Sequence, residues 1–162
     1  MTGAWMLRDV VAGDLPVFFS YESDPEAVHM AAFTPEQPAD RAAFDAHWSR
    51  VLAAPSVTVK TVVCDGRVAG SVLSYEDDGG PEVSYWIGRP YWGRGIATWA
   101  LREFIARYET RRPLRARVAK DNLPSIRVLE KCGFVAVGEG RGFANGRGAE
   151  IEEWIFQLAA TR

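Results

Sequence analysis

The sequence predicts a mixed α/β (α+β) fold, a single and mostly antiparallel twisted sheet with helices on both faces. Three observations predict it. Runs of β-branched residues are broken by Asp65-Gly66 and Gly79-Gly80, which are hairpin signals. Apolar stripes at spacings of three and four lie before and after those runs. In the second half the order becomes strand, helix, strand, which puts one parallel pair into an otherwise antiparallel sheet.

Met6–Val10 reads as a short first strand. Gly13-Asp14-Leu15-Pro16 then opens a helix, with Asp14 as its cap and Pro16 in its first turn. Phe18, Phe19 and Tyr21 supply its buried face, and Asp24-Pro25-Glu26 is a second helix start. From Asp40 to Ala54 a helix is expected to bury Phe44, Trp48, Val51 and Leu52, and Pro55 ends it. Val57–Cys64 and Arg67–Tyr75 form a hairpin; Pro81–Ile87 follows the acidic turn Glu76-Asp77-Asp78-Gly79-Gly80. The clearest helix starts near Gly95, with Ile96, Ala97, Ala100, Leu101, Phe104, Ile105 and Tyr108 on one stripe. Leu114–Val118 is a strand, and a helix capped by Asn122 runs from Leu123 to Cys132. Gly133 stops that helix and Phe134 folds back on it. Phe134–Gly142 and Ala149–Leu158 close the chain as a hairpin around Asn145-Gly146.

A length of 162 residues fits one domain, here residues 1–162. With 48% hydrophobic and 25% charged residues the balance is that of a soluble globular chain. A net charge of −2 gives no reason to expect nucleic acid or an anionic membrane as partner. The four arginines of Arg111–Arg117 read as a solvated loop and strand edge. Cys64 and Cys132 match no metal spacing and no disulfide framework, so no metal is expected. Met1–Trp5 lacks a basic start followed by an apolar run, and no stretch reaches membrane-spanning length; a cytoplasmic location is expected.

The motif that carries chemistry is Tyr91-Trp92-Gly93-Arg94-Gly95-Ile96-Ala97-Thr98, set between a strand and a helix. A helix N-terminus leaves N–H groups free and carries partial positive charge, which suits a diphosphate. Gly93 and Gly95 let a ligand approach the backbone, and Arg94 adds a charged contact. No Gly-Lys-Ser/Thr follows and no third glycine completes a dinucleotide fingerprint, so nucleotide hydrolysis and NAD binding are set aside.

These residues resemble the pyrophosphate loop Gln/Arg-x-x-Gly-x-Gly/Ala of the GNAT superfamily of acyl-CoA transferases, with Trp92 where Gln or Arg is usual. A second block, Asn122-x-x-Ser125-x-x-Val128-Leu129-Glu130-Lys131-x-Gly133-Phe134, is similar to the C-terminal signature of the RimJ/RimL-type branch. The resemblance covers residues 5 to 158. It implies acetyl-CoA as co-substrate and direct attack of an amine on its thioester. The family fold splays two parallel strands, here Pro81–Ile87 and Leu114–Val118, and the pantetheine lies in the gap. Backbone groups at Trp86 and Ile87 would pair with the pantetheine amides, one N–H polarising the thioester carbonyl. Asn122 would hold the pantetheine arm and Ser125 would lie near the sulfur.

Proton transfer is less legible. Where some relatives carry a basic-working Glu this chain has Arg117, and where they carry a Tyr acid it has Leu129. The remaining candidates are Glu82 as base through water, and Tyr85 or Ser125 as donor to the departing thiolate. His29 and His47 read as structural, and Cys132 has no partner that would make it a nucleophile. Phe33, Trp48, Tyr75, Tyr85 and Phe143 are candidate walls of an acceptor pocket. The lead acceptor is a protein N-terminal amine; a small amine such as a polyamine, amino acid or aminoglycoside is the alternative. The missing Glu and Tyr also admit a non-catalytic acyl-CoA-binding module. A homodimer through exposed strands or helices is a further expectation.

Overall fold

Two short polar side chains start helices as the sequence implies. Asp24 accepts from the Glu26 amide to open α2 (Pro25–Ala31), and Asp40 accepts from Ala43 to open α3 (Arg41–Ala53). In the computed structural model, which describes residues 4–160, Asp14 departs from that pattern. It stands ahead of α1 (Leu15–Glu22) with no capping bond from its side chain. Its carboxylate instead accepts from Arg8 at 2.7 and 2.9 Å, from Thr61 Oγ1 at 2.7 Å and from the Val11 amide at 3.0 Å. Burial opposes the charge, but the Arg8 guanidinium and the two other donors hold Asp14 below the usual carboxylate range.

The remaining elements are β1 (Trp5–Arg8), β2 (Thr58–Cys64), β3 (Arg67–Asp77), β4 (Gly80–Ile87), α4 (Ile96–Arg107), β5 (Leu114–Ala119), α5 (Leu123–Lys131), β6 (Val135–Ala144) and β7 (Ala149–Leu158). Seven strands form one sheet in the order β1-β2-β3-β4-β5-β7-β6. All neighbours run antiparallel except β4 and β5, as the crossover through α4 requires.

Strand alternation divides the core between two faces. Leu73 meets α1 and α3 through Phe18, Phe44 and Trp48, whereas its neighbour Val72 faces Ile96, Leu101, Phe104 and Leu129 of α4 and α5. The apolar stripe of α4 is buried at Ile96, Ala100, Leu101, Phe104 and Ile105. Leu52 is the exception on α3: it is exposed, because that helix rests on one narrow side only. At the end of α5 Gly133 takes φ +92°, and the Phe134 amide reaches back to the Leu129 carbonyl at 3.0 Å.

Three of the four arginines of residues 111–117 make polar contacts with the fold, while Arg111 and Arg117 stay solvent-exposed as expected. Arg111 pairs with Glu109 and Glu76, Arg112 donates to the Glu109 and Ile105 carbonyls, and Arg117 reaches Glu82 and Glu153. They close the end of α4 and the mouth of β5, where unused carbonyls and buried acids need donors.

Gly70 fixes the end of β4. A Cβ there would stand 2.0 Å from the Trp86 carbonyl oxygen, which is backbone and cannot turn aside. Gly70→Ala is therefore expected to cost about 2 kcal/mol, as overpacking does, and to lower Tm by roughly 4–8 °C in a thermal melt.

Candidate active site

β4 and β5 pair only at Glu82 and Arg115. Beyond that point no further pairing joins the two strands, and a cleft of about 530 Å³ lies at the end of β4. One side is the end of β4, where Tyr85, Trp86 and Ile87 line it. Its mouth is the loop ahead of α4 and that helix's first turn; its far wall is α5, and α2 covers it through Ala27, Met30 and Ala31.

The loop is built to present backbone. Gly93 and Gly95 sit at φ +77° and +79°, and a Cβ added to either would meet nothing within 4 Å. Trp99 makes the first helical bond, to the Gly95 carbonyl at 3.1 Å. The amides of residues 93–98 consequently take no acceptor among the described residues. Gly93, Gly95, Ile96, Ala97 and Thr98 all line the cleft. Trp92 lines it too, and its indole donates to the Ile87 carbonyl at 2.8 Å, fastening the loop to the end of β4. That bond occupies one of the Ile87 backbone groups expected to meet a ligand.

Arg94 stands apart from this set. Its guanidinium lies over the Tyr91 ring at 5.7 Å and 4.0 Å from Asp65, outside the cleft lining. The cations that do line the cleft are Arg127 and Lys131, one turn apart on α5, and neither is ion-paired among the described residues. Sequence reading missed both, although their spacing of four beside Asn122 and Ser125 was available.

Asn122 and Ser125 meet at the start of α5. The Asn122 Oδ1 accepts from the Ser125 amide at 3.3 Å, leaving the Asn122 amide nitrogen without an acceptor among the described residues. Tyr85 crosses from β4 and its hydroxyl lies 2.6 Å from Ser125 Oγ. Burial pushes the Tyr85 phenol well up, so it keeps its proton at neutral pH. Cys132 closes the opposite end of α5, and burial pushes its thiol up, which opposes a nucleophilic role.

Glu82 lies outside the cleft lining, at the point where the strands part. It is buried, accepts from the Tyr75 hydroxyl at 2.5 Å and faces the Arg117 Nε at 3.4 Å. Four residues separate it from Trp86, about 13 Å along a strand. Arg117 also meets Glu153 at 3.2 Å and Asp77 at 3.7 Å, so three acids surround one guanidinium on this side of the splay.

The acetyltransferase (GNAT) domain family matches residues 5–135 of this chain. The chain belongs to the GNAT acetyltransferases. A curated relative, the uncharacterized N-acetyltransferase p20 of Bacillus licheniformis, is 27% identical over 94% of this chain and 90% of its own length. Among solved structures, the microcin C7 self-immunity acetyltransferase MccE, in complex with acetyl-CoA and AMP, superposes with a TM-score of 0.80 at 15% identity. That match covers 96% of this chain and 92% of MccE. The ribosomal-protein-alanine N-acetyltransferase of Brucella melitensis gives a TM-score of 0.77 at 20% identity, covering 96% and 99% of the two chains. Likeness at such identities shows the fold, a GNAT sheet splayed between its two parallel strands.

In this acetyltransferase the expected acceptor walls separate. Phe33 and Phe143 are exposed near the β6–β7 hairpin, Tyr75 is committed to Glu82, and Trp48 is core, packed on Phe18 at 5.0 Å. Glu22, at the end of α1, was not anticipated. Burial raises its carboxyl from the ordinary 4.5 to about 7, against the opposing effect of the nearby Trp48 indole. A raised folded-state value means the carboxyl stabilises the fold below pH 4.5 and loses that contribution as pH climbs to about 7. Glu22→Gln is expected to be the more stable protein at pH 8, by on the order of 2 kcal/mol after screening. The gap should close at pH 4, as urea unfolding at the two pH values would measure.

Proposed function

We propose that this enzyme transfers an acetyl group from acetyl-CoA to a primary amine by direct attack, within a single domain spanning residues 1–162. The observation that carries the reading is the row of amides at residues 93–98, without acceptors among the described residues, at the mouth of the cleft beside the end of β4. Bare N–H groups, open space at two glycines and the cations Arg127 and Lys131 fit a diphosphate-bearing ligand. The complex of MccE with acetyl-CoA supports the same ligand.

Residues 93–98 would hold the pyrophosphate, Trp86 and Ile87 the pantetheine amides, and Asn122 the pantetheine arm through its free amide nitrogen. When bound, acetyl-CoA supplies an acyl group on a thioester that a neutral amine attacks without a covalent enzyme intermediate. Ser125 would donate a hydrogen bond to the departing sulfur, and Tyr85 in turn to Ser125. A phenol pushed up by burial is a weak acid toward a thiolate with a pKa of about 8.5. The pair thus stabilises negative charge by hydrogen bonding rather than by surrendering the phenolic proton. Glu82 would accept the amine proton through water, since about four residues of strand separate it from Trp86.

For the acceptor we favour a protein N-terminal amine. Its pKa of about 8, against about 10 for a lysine-like amine, eases deprotonation at a site with no adjacent base. The relatives named as ribosomal-protein-alanine N-acetyltransferases support this choice. The test is thiol release from acetyl-CoA across N-terminal peptides, polyamines, amino acids and aminoglycosides. Peptide-dependent release is expected; release with small amines alone would reassign the acceptor. Acetyl-CoA binding without release for any amine would make the protein a binding module.

A further inference from the structure

α2 covers the cleft, yet little apolar packing holds it there. It is seven residues long, too short to be stable alone, and Ala27 is its single buried residue. Polar contacts do the holding: Arg89 pairs with Asp24 and Glu26 at the start of α2, and the β6–β7 hairpin tip holds its end. Arg147 is the centre of the hairpin contacts, with a side chain only 13% exposed. Its Nε donates to the His29 carbonyl of α2 at 2.6 Å. Its two terminal nitrogens make a bidentate pair with Asp121 at 2.7 and 2.9 Å. Asp121 directly precedes Asn122, the first residue of the opposite wall. One guanidinium therefore spans the two walls.

Neighbouring contacts fix the geometry. The Gly146 amide donates to the Ala32 carbonyl at 2.8 Å, and Asn145 Nδ2 to the Thr34 carbonyl at 2.8 Å. A Cβ at Gly146 would stand 2.4 Å from the Val28 carbonyl oxygen, so only glycine permits this approach. Ala32 takes φ +67° and ψ −60°, and the Phe33 amide bonds the Ala31 carbonyl at 2.8 Å. That is a γ-turn about an alanine, a sparsely populated backbone that persists only where surrounding contacts impose it. The clamp supplies them.

We propose that Arg147 is a positioning residue that latches the cleft, fixing α2 against the start of α5 so that the acyl-CoA is enclosed. It touches neither reactant and acts through α2 and Asp121. The inference rests on the cleft being the acetyl-CoA site. Its consequence is a split in kinetics: loosening the latch weakens acetyl-CoA capture and leaves turnover at saturation largely intact.

The experiment compares wild type with Arg147→Ala, Arg147→Lys and Asp121→Asn. Hydrogen exchange of the ligand-free proteins is read over residues 25–34, with calorimetric acetyl-CoA binding and steady-state kinetics alongside. Arg147→Ala is expected to speed exchange in residues 25–34 selectively. It should also weaken acetyl-CoA binding roughly tenfold, the equivalent of about one lost bidentate contact. Its kcat should stay within about twofold, as for loss of uniform binding. Arg147→Lys should fall between, and Asp121→Asn should shift both readouts in the same direction. Unchanged exchange over residues 25–34, or acetyl-CoA affinity equal to wild type, would overturn the latch. Faster exchange everywhere, in step with a fallen Tm, would overturn it as well. If wild type itself fails to bind acetyl-CoA, the assignment of the cleft is what fails, and the exchange data still decide whether Arg147 holds α2.

Discussion

Gly95→Val is expected to lower kcat/KM for acetyl-CoA by about 100-fold or more, through two effects that act at one atom. The first is backbone: Gly95 sits at φ +79°, a region where a β-branched residue is strained. The second is the site. Space beyond the Gly95 Cα is open, with no protein atom within 4 Å of an added Cβ, and the amides of residues 93–98 around it have no acceptor among the described residues. A branched side chain there would hold a diphosphate away from its donors. A control separates the two effects. Gly66 in the β2–β3 turn has φ +78° and equally open surroundings, but lines no cleft. Gly66→Val should lose a similar amount of stability in denaturant while keeping its KM for acetyl-CoA. If Gly95→Val binds acetyl-CoA as well as Gly66→Val does, the loop is only a strand-to-helix turn.

What could be read from the sequence was what depends on neighbours in the chain. The α4 stripe, the Asn122 cap and the Gly133-Phe134 stop each rest on residues within one or two turns, and each appears as written. The glycine loop was legible for the same reason. Asp14 reads as a helix cap only until Arg8 and Thr61, the latter 47 residues away, compete for its carboxylate. Arg94 carries a charge beside the loop, but the rotamer that stacks on Tyr91 and faces Asp65 is set by folding. Arg147 lies 118 residues from His29, and nothing in its local sequence distinguishes it from a hairpin-tip arginine. The covering role of α2 was illegible too, because three small or flexible side chains, Ala27, Met30 and Ala31, supply it.

Glu82→Gln is expected to lower kcat by about 100-fold near pH 7, the usual scale of a positioned base. The argument starts from the amine. An α-amino group with a pKa of about 8 is mostly protonated at neutral pH, and a lysine-like amine near 10 almost wholly so. Its proton must leave before or during attack, and the resemblance drawn from the sequence implies neither a base at Arg117 nor an acid at Leu129. Glu82 is a buried carboxyl at the parting of the strands, on the side where Tyr75 and Arg117 orient both its oxygens. Gln keeps an oxygen for the Tyr75 hydroxyl but turns its amide nitrogen to Arg117, so the substitution removes proton affinity and one hydrogen bond with little change in shape. The deficit should shrink as pH rises toward the pKa of the amine, because an already neutral nucleophile needs no base. That convergence distinguishes a base from a residue that merely shapes the site, for which the loss would be the same at every pH. Equal turnover of the two proteins at neutral pH would remove Glu82 from the reaction and leave solvent to take the proton. The cluster of Glu82, Glu153 and Asp77 around Arg117 would then be a structural brace at the apex of the splay.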